Sequence, residues 1–90
     1  MIKYRPHRST LREAMKEAKE FETVDEMYDY IVSNWNRDKE LIAKENLSIG
    51  EKLGKDPRID WKETRYVLIN RIGDEIYDEP QCIGMCSIED

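Results

Sequence analysis

The longest helical stripe of apolar residues in the chain follows Thr23. Thr23 and Glu26 have the spacing of a capping box, in which each side chain accepts the other residue's backbone N–H. Apolar residues then recur at intervals of three and four: Val24, Met27, Tyr28, Ile31, Val32 and Trp35. This pattern predicts a helix over residues 24–36.

The N-terminal residues predict a short strand followed by a short helix. Residues 2–5 alternate between apolar and polar, as a strand does. Thr10 and Glu13 form another capping box, which predicts a helix over residues 10–16. The residues that follow suit either a continuation of this helix or a strand. We favour an extended segment over residues 18–22.

Residues 39–49 allow two interpretations. The residue types near the start of this segment suit a helix. Alternation typical of a strand is also present, in Leu41, Ala43, Leu47 and Ile49. We favour a strand over residues 41–49. Two glycines and the Asp56-Pro57 pair then indicate a loop that extends to Trp61.

The C-terminal part of the chain predicts a hairpin. Residues 64–72 carry apolar side chains on both alternating faces, which is typical of an interior strand. Gly73 and Asp74 suit a tight turn. Pro80 has no N–H to give to a neighbouring strand, so we place the return strand after it, over residues 81–88.

Together these elements predict a single α+β domain over residues 1–90. A small, mostly antiparallel sheet of three or four strands packs against the main helix, with the short N-terminal helix beside it. Helices and strands are segregated rather than alternating, which argues against a doubly wound parallel sheet. Apolar and charged residues each make up 39% of the chain, a globular composition with a heavily charged surface.

Charge is distributed unevenly along the chain, whose net charge is −5. Residues 1–19 hold six basic and two acidic residues, whereas residues 74–90 hold six acidic residues and no basic one. We expect these two ends to lie near each other in the fold. Because no apolar run is long enough for a signal peptide or a membrane span, we expect a cytoplasmic protein without membrane contact.

Cys82 and Cys86 are the only cysteines. In a regular strand they share a face about 13 Å apart, beyond the Cα separation of about 7 Å that a disulfide allows. We therefore expect two free thiols in a reducing compartment. The only histidine is His7, at the other end of the chain, so we expect no metal site and no cofactor.

The sequence gives no support for catalysis. It has none of the motifs that bind nucleotide phosphates or hold a catalytic serine or zinc. His7 stands between Arg5 and Arg8, whose positive charges lower its basicity. With twenty acidic residues in a chain of ninety, close carboxylate pairs arise without any function. We expect no enzymatic activity, since a small enzyme would need a cleft in which His7 meets a carboxylate or a thiol.

Two segments are candidates for binding a partner through surface side chains. The basic segment, residues 3–8, places cations beside an aromatic ring, which suits a phosphate or an acidic protein. The loop over residues 56–61 holds the residue types that dominate binding hot spots, although its tryptophan caps the core in the alternative interpretation. The candidate binding residues are Arg5, His7, Arg8, Arg58 and Trp61. An acidic stripe runs along the main helix and is either solvated or a contact for a basic protein. It is formed by Glu22, Asp25, Glu26 and Asp29.

Residues in both halves of the chain match a pattern found in another group of proteins. The residues concerned are Tyr4-Arg5-Pro6-His7-Arg8, Leu11 and Ala14-Met15 in the first half, and Asp56, Arg58-Ile59, Trp61, Thr64, Val67 and Gly84 in the second. In these residues the chain resembles small uncharacterised proteins of bacterial phages and prophages. The resemblance implies an origin, and it brings no catalytic residue or ligand with it.

One leading hypothesis and two alternatives follow. The leading hypothesis is a small non-enzymatic protein-interaction module of phage or mobile-element origin, which binds or inhibits a host or phage protein. It would bind through the 56–61 loop, the basic segment or an exposed sheet edge. The first alternative is an accessory protein that contacts nucleic acid through the basic N-terminal residues Lys3, Arg5, His7, Arg8 and Arg12. The second is a homo-oligomer, because an unpaired sheet edge can pair with its own copy.

Overall fold

The computed structural model describes residues 1–35, 42–50 and 58–89. In chain order the elements are strand β1 (Ile2–Pro6), helix α1 (Leu11–Lys16), strand β2 (Lys19–Phe21), helix α2 (Val24–Trp35), a 3₁₀ turn (Lys44–Asn46), and strands β3 (Leu47–Ile49), β4 (Arg65–Ile72) and β5 (Glu75–Ile88). This is the α+β class that the sequence predicts, with one main helix and one short helix in the described part of the chain.

The strands form one antiparallel sheet of five, in the order β2-β1-β5-β4-β3, where the sequence predicts three or four. The extended segment predicted over residues 18–22 is confirmed as β2. Strands β1 and β5 are neighbours, with Lys3 directly opposite Ser87. The Nζ of Lys3 lies 3.6 Å from Oε2 of Glu89, so the prediction that the basic and acidic ends lie near each other is confirmed for Glu89. The acidic residues between positions 74 and 79 lie outside the part of β5 that pairs with β1.

Helix α2 packs its apolar stripe on one face of the sheet. Met27 and Ile31 of the helix are buried there. They join a cluster to which four strands contribute, formed by Ile2, Tyr4, Ile42, Leu47, Val67, Ile69 and Cys86. Each large apolar side chain that leaves water in this way stabilises the fold by roughly 1.5–3 kcal/mol, so this layer is the main core.

The other face of the sheet is buried as well. Residues opposite each other in an antiparallel pair point to the same side, so Arg5 and Met85 share this second face. Both are buried, as are Ile59 and Trp61 in the segment that precedes β4. Trp61 lines a groove on this side together with Met15 of α1. The sheet is therefore covered from both sides.

The threonine of each predicted capping box forms its N-cap hydrogen bond. At α1, Oγ1 of Thr10 accepts a hydrogen bond from the N–H of Glu13 at 3.1 Å. At α2, Oγ1 of Thr23 accepts one from the N–H of Glu26 at 3.2 Å, and the Glu26 carboxylate accepts the N–H of Glu22 at 3.1 Å. These contacts satisfy N–H groups that have no partner within the helix, which is why both helices begin where the sequence predicts.

The strand predicted over residues 41–49 is wrong for much of its length. Only Leu47–Ile49 is a strand, and the 3₁₀ turn Lys44–Asn46 precedes it. Residue 41 lies outside the described residues, as does residue 36 at the predicted end of the main helix. Three consecutive polar residues in the turn interrupt the apolar alternation, so only the residues after them have side chains to bury against β4.

The predicted turn at Gly73 and Asp74 connects β4 to β5. Gly73 has a φ angle of 57°, in the left-handed region that glycine adopts without strain. Strand β5 begins directly after this turn, at Glu75. The prediction that it begins only after Pro80 is therefore wrong.

A large bulge in β5 accommodates its proline. Arg71 is paired with Ile76 and Ile69 with Gln81, so β5 advances five residues where β4 advances two. Residues 77–80 therefore leave the ladder of paired residues. Because proline has no N–H to pair, a bulge is where a strand can continue past it.

A second irregularity in β5 places the two cysteines on opposite faces of the sheet. Val67 of β4 pairs with Gly84 and the next residue, Leu68, pairs with Cys82, so Ile83 is an extra residue in β5 without a partner in β4. Cys86 lies in the core beneath α2, whereas Cys82 is turned to the opposite face of the sheet. The prediction that the two share a face is wrong, because it assumed a regular strand. Both thiols are free.

Gly84 allows β1 and β5 to approach each other with a tyrosine ring between them. A Cβ added at Gly84 would lie 2.6 Å from the carbonyl oxygen of Arg5 and 2.7 Å from Cε1 of Tyr4. Neither separation is tolerated, and the first involves a backbone atom that cannot rotate away. The ring of Tyr4 therefore occupies the space that a side chain at residue 84 would need.

We predict that Gly84→Ala lowers the free energy of unfolding by about 3 kcal/mol, because β1 must shift to admit the methyl group. Gly50→Ala is the control, since a Cβ at Gly50 would lie 3.6 Å from its nearest neighbour, Cβ of Tyr66. Its stability should change by less than about 1 kcal/mol. Urea unfolding followed by circular dichroism compares the two variants, and equal stabilities would contradict the close-approach argument.

Candidate functional site

Arg5, the first candidate in the basic segment, lies inside the protein. It is 7% exposed and lies on the sheet face opposite α2. The structure does not support the interpretation of Arg5 as a surface contact, because its place in β1, directly opposite Met85, directs the side chain into the buried layer on that face. Arg5 therefore does not present its charge to a partner.

Arg8 is bound to Glu17, just after α1. Its Nη2 donates to Oε1 of Glu17 at 2.9 Å and its Nε donates to Oε2, so the ion pair is bidentate. Its Nη1 donates to the carbonyl oxygen of His7 at 2.7 Å. The hydrogen bonds from Arg8 hold the pKa of Glu17 below its usual value, and they raise the pKa of Arg8. This cation fastens the end of β1 to the end of α1.

His7 contacts a thiol. Its Nε2 lies 3.0 Å from Sγ of Cys82, and its backbone N–H donates to the carbonyl oxygen of Ile83 at 3.1 Å. The thiol of Cys82 donates a hydrogen bond to the carbonyl oxygen of Gly84, with Sγ and the oxygen 3.3 Å apart. Burial raises the pKa of Cys82, while the nearby charge of Arg5 acts in the opposite direction. The sequence does not predict this contact, because it depends on the extra residue in β5.

Trp61, the central candidate of the 56–61 loop, is a core residue. Its side chain is only 5% exposed. The structure thus supports the interpretation in which the ring caps the core, and Trp61 is not an exposed anchor for a partner. Arg58 is exposed at the surface. Residues 56 and 57 lie outside the described residues.

The acidic stripe on α2 contacts a lysine of the same chain. The Nζ of Lys44 lies 2.6 Å from Oδ1 of Asp25 and 2.8 Å from Oδ1 of Asp29. These two hydrogen bonds raise the pKa of Lys44. Two of the four carboxylates of the stripe thus share one lysine of the same chain, and this contact connects α2 to the 3₁₀ turn before β3.

A cavity of about 260 Å³ lies between the end of β1 and the end of α2. Its wall includes the aromatic side chains Tyr4, Tyr30 and Trp35, together with the Arg8–Glu17 ion pair. This volume is below the range of about 300–1,000 Å³ that is typical of pockets for drug-sized ligands. Within residues 1–35, 42–50 and 58–89, no three His, Cys, Asp or Glu side chains are grouped so that they could hold a metal ion.

The outer part of the β4–β5 hairpin extends past the strands beside it. Strand β3 pairs with β4 only over residues 67–69, and β1 pairs with β5 only over residues 84–88. Residues 70–82, which we call the arm, therefore have no other strand next to them in the described part of the chain. Ile76, near the tip of the arm, is 71% exposed, more than any other large apolar side chain that the structure describes.

The arm is strongly acidic. Its four exposed carboxylates are those of Asp74, Glu75, Asp78 and Glu79. Its one cation is Arg71, whose Nε donates to the carbonyl oxygen of Gly73 at 2.7 Å and whose Nη2 lies 3.9 Å from Oδ1 of Asp74. An exposed apolar side chain is thus surrounded in sequence by negative charge.

None of the binding residues predicted from the sequence lies in the arm. Ile76 and Tyr77 interrupt a run of acidic residues, and an apolar pair in such a run is a sequence signal for a contact surface. The placement of the return strand after Pro80 hid this signal, because it assigned the acidic run to a loop.

No family model, no curated protein and no solved structure matches this chain. Of the helices that the structure describes, none has the length and apolar character needed to cross a membrane. The surfaces described above are therefore the basis for a proposed function.

We predict that Trp61→Ala lowers the free energy of unfolding by about 3–5 kcal/mol, the usual cost of removing a large buried aromatic side chain. Lys62→Ala, a change at an exposed neighbour, is the matched control and should alter stability by less than about 0.5 kcal/mol. Chemical denaturation measures both variants. A Trp61→Ala protein as stable as the control would show that the ring does not contribute to the core.

Proposed function

We propose that this chain is a small, non-enzymatic protein-interaction module that binds its partner through the arm, residues 70–82. The exposure of Ile76 at the tip of the arm is the observation that carries the proposal. A side chain of this size gains roughly 1.5–3 kcal/mol when a partner removes it from water. An apolar side chain that the chain itself leaves in solvent is therefore available as an anchor.

The charge of the arm defines the chemistry of the partner. Four carboxylates accompany Ile76, and the one cation of the arm already contacts a carbonyl oxygen and a carboxylate of the arm itself. A complementary surface would present lysine or arginine side chains around an apolar pocket. Complementary charge increases the rate of association and excludes acidic competitors. We therefore propose a basic protein surface as the partner.

The shape of the arm favours recognition through side chains rather than through strand addition. The bulge over residues 77–80 breaks the regular spacing of backbone groups, and Pro80 removes one N–H. Bulges, prolines and charges are the devices by which proteins prevent exposed edges from pairing with other strands. Two copies of the arm would also bring like charges together. These features support a different protein, rather than a second copy of this chain, as the partner.

The alternative of nucleic-acid binding depends on the basic N-terminal residues Lys3, Arg5, His7, Arg8 and Arg12. Four of these side chains are engaged within the chain: one is buried, one contacts a thiol, one forms a bidentate ion pair and Lys3 lies beside Glu89. Each phosphate contact requires an available cation, so this arrangement favours a protein partner. The resemblance of the sequence to phage proteins leads us to propose a host or phage protein, in the cytoplasm, as the target that is bound or inhibited.

We predict that a tagged form of the chain captures a protein from bacterial lysate that survives nuclease treatment, and that Ile76→Ser abolishes this capture. Asp78→Asn combined with Glu79→Gln should weaken it at least several-fold, because two charges of the arm are lost. Asp60→Asn combined with Glu20→Gln removes the same charge from exposed positions outside the arm and is the matched control. Mass spectrometry quantifies the captured protein for each variant.

The arm variants should keep the urea midpoint of the parent chain, since the replaced side chains are exposed. Equal capture by arm and control variants would contradict the proposal. Loss of every captured protein on nuclease treatment would support the nucleic-acid alternative instead.

A further inference from the structure

Two reactive side chains from opposite ends of the chain meet at the surface. The Nε2 of His7 and the Sγ of Cys82 are 3.0 Å apart, although 75 residues separate them in the sequence. His7 is exposed and Cys82 is half-buried. A small reagent can therefore reach the sulfur from solvent, which distinguishes it from the buried Cys86.

The fold holds this pair in place from both strands. The N–H of His7 donates to the carbonyl oxygen of Ile83, which extends the contact between β1 and β5 beyond the last paired residues, Pro6 and Gly84. The extra residue at Ile83 turns Cys82 to the face on which His7 lies. In a regular strand the thiol would point to the α2 face and would not meet the imidazole.

The groups around Cys82 determine how readily its thiol loses a proton. Arg5 of β1 and His7 just after that strand lie beside it, and Tyr4 of β1 interacts with it electrostatically from the other face of the sheet. Leu68, opposite it on β4, carries no charge. Burial raises the pKa of Cys82 and Arg5 lowers it, while burial raises the pKa of Tyr4 and keeps its hydroxyl neutral. A thiol that is protonated at neutral pH needs a base to become the nucleophilic thiolate, and a neutral imidazole at hydrogen-bond distance is such a base.

We propose that Cys82 is a modification site that undergoes thiol–disulfide exchange with low-molecular-weight disulfides, and that His7 accepts its proton. The Sγ–H turns from the carbonyl oxygen of Gly84 towards Nε2 of His7 and passes its proton to that nitrogen, and the thiolate attacks one sulfur of the disulfide. A new S–S bond forms to Cys82 while the original S–S bond breaks. The leaving thiolate carries away the electron pair and takes up the proton, so the disulfide is the oxidant and the exchange balances.

The structure also determines the product of this exchange. A second thiol of the same chain would resolve the mixed disulfide if it could reach Cys82. Cys86 is buried on the other face of the sheet, where burial raises its pKa to about 11. The adduct on Cys82 therefore persists until an external thiol removes it. This proposal does not depend on the partner proposed for the arm.

The test uses the full chain and dithiobis(nitrobenzoate), an aromatic disulfide whose thiol product is coloured. We expect one fast-reacting thiol per folded chain. Cys82→Ser should remove the fast phase, whereas Cys86→Ser should leave it unchanged. Peptide mapping after incubation with glutathione disulfide should place a single glutathione on Cys82, and this measurement needs no variant.

A change at His7 tests the role of the imidazole. His7→Gln should slow the fast phase about tenfold or more at neutral pH, in line with the usual effect of a positioned base. The difference should shrink at alkaline pH, where hydroxide removes the proton. Because burial raises the pKa of Cys82, this should happen above the ordinary thiol value of about 8.5. Free imidazole in the buffer should restore part of the rate, which would not happen if His7 were only structural. Ser9→Ala, a change at an exposed neighbour, is the control and should react at the parent rate.

Three results would overturn the proposal. The first is a folded chain in which Cys82 reacts no faster than Cys86. The second is a His7→Gln protein with the parent rate and pH profile. The third is glutathione attached to Cys86 or to neither thiol.

Discussion

The pairing of β1 with β5 is the contact on which the rest of the structure depends. It joins the first and last strands at the centre of the sheet, with β2 attached on one side and β4 on the other. Tyr4 reaches across this contact into the core beneath α2, and it can do so only because Gly84 has no side chain. On the opposite face the same two strands hold Arg5 against Met85. The close approach of β1 and β5, which the missing side chain of Gly84 allows, therefore supports the layers on both faces of the sheet.

Two irregularities of β5 create the surfaces that matter for function. Because Ile83 is an extra residue in β5, the side chains before it and after it alternate out of step. Cys82 therefore contacts His7, while Cys86 stays in the core. The larger bulge over residues 77–80 lets the strand continue past a proline within the arm. In a perfectly regular hairpin the thiol would face α2, and a straight edge would be open to other strands.

Local signals in the sequence were enough to predict most of the elements. The capping boxes at Thr10 and Thr23 predicted both helices, because a cap depends on residues within one turn of each other. The turn at Gly73 and Asp74 was predicted for the same reason. The burial of Arg5 could not be predicted, and the sequence left that of Trp61 open, since both depend on which side of the sheet each segment covers. Bulges depend on the register between strands, which a single sequence does not encode locally.

The position of β5 has a consequence for how the chain folds. Strand β1 is made first and β5 last, so the central contact of the sheet closes a loop of nearly the whole chain. Contacts this distant in sequence slow folding, because the entropy of closing the loop is lost before they stabilise the structure. During synthesis the apolar stripe of α2 has no complete sheet to cover it until β5 leaves the ribosome. A product that stops short of β5 keeps its apolar side chains in water, where chaperones and proteases recognise them.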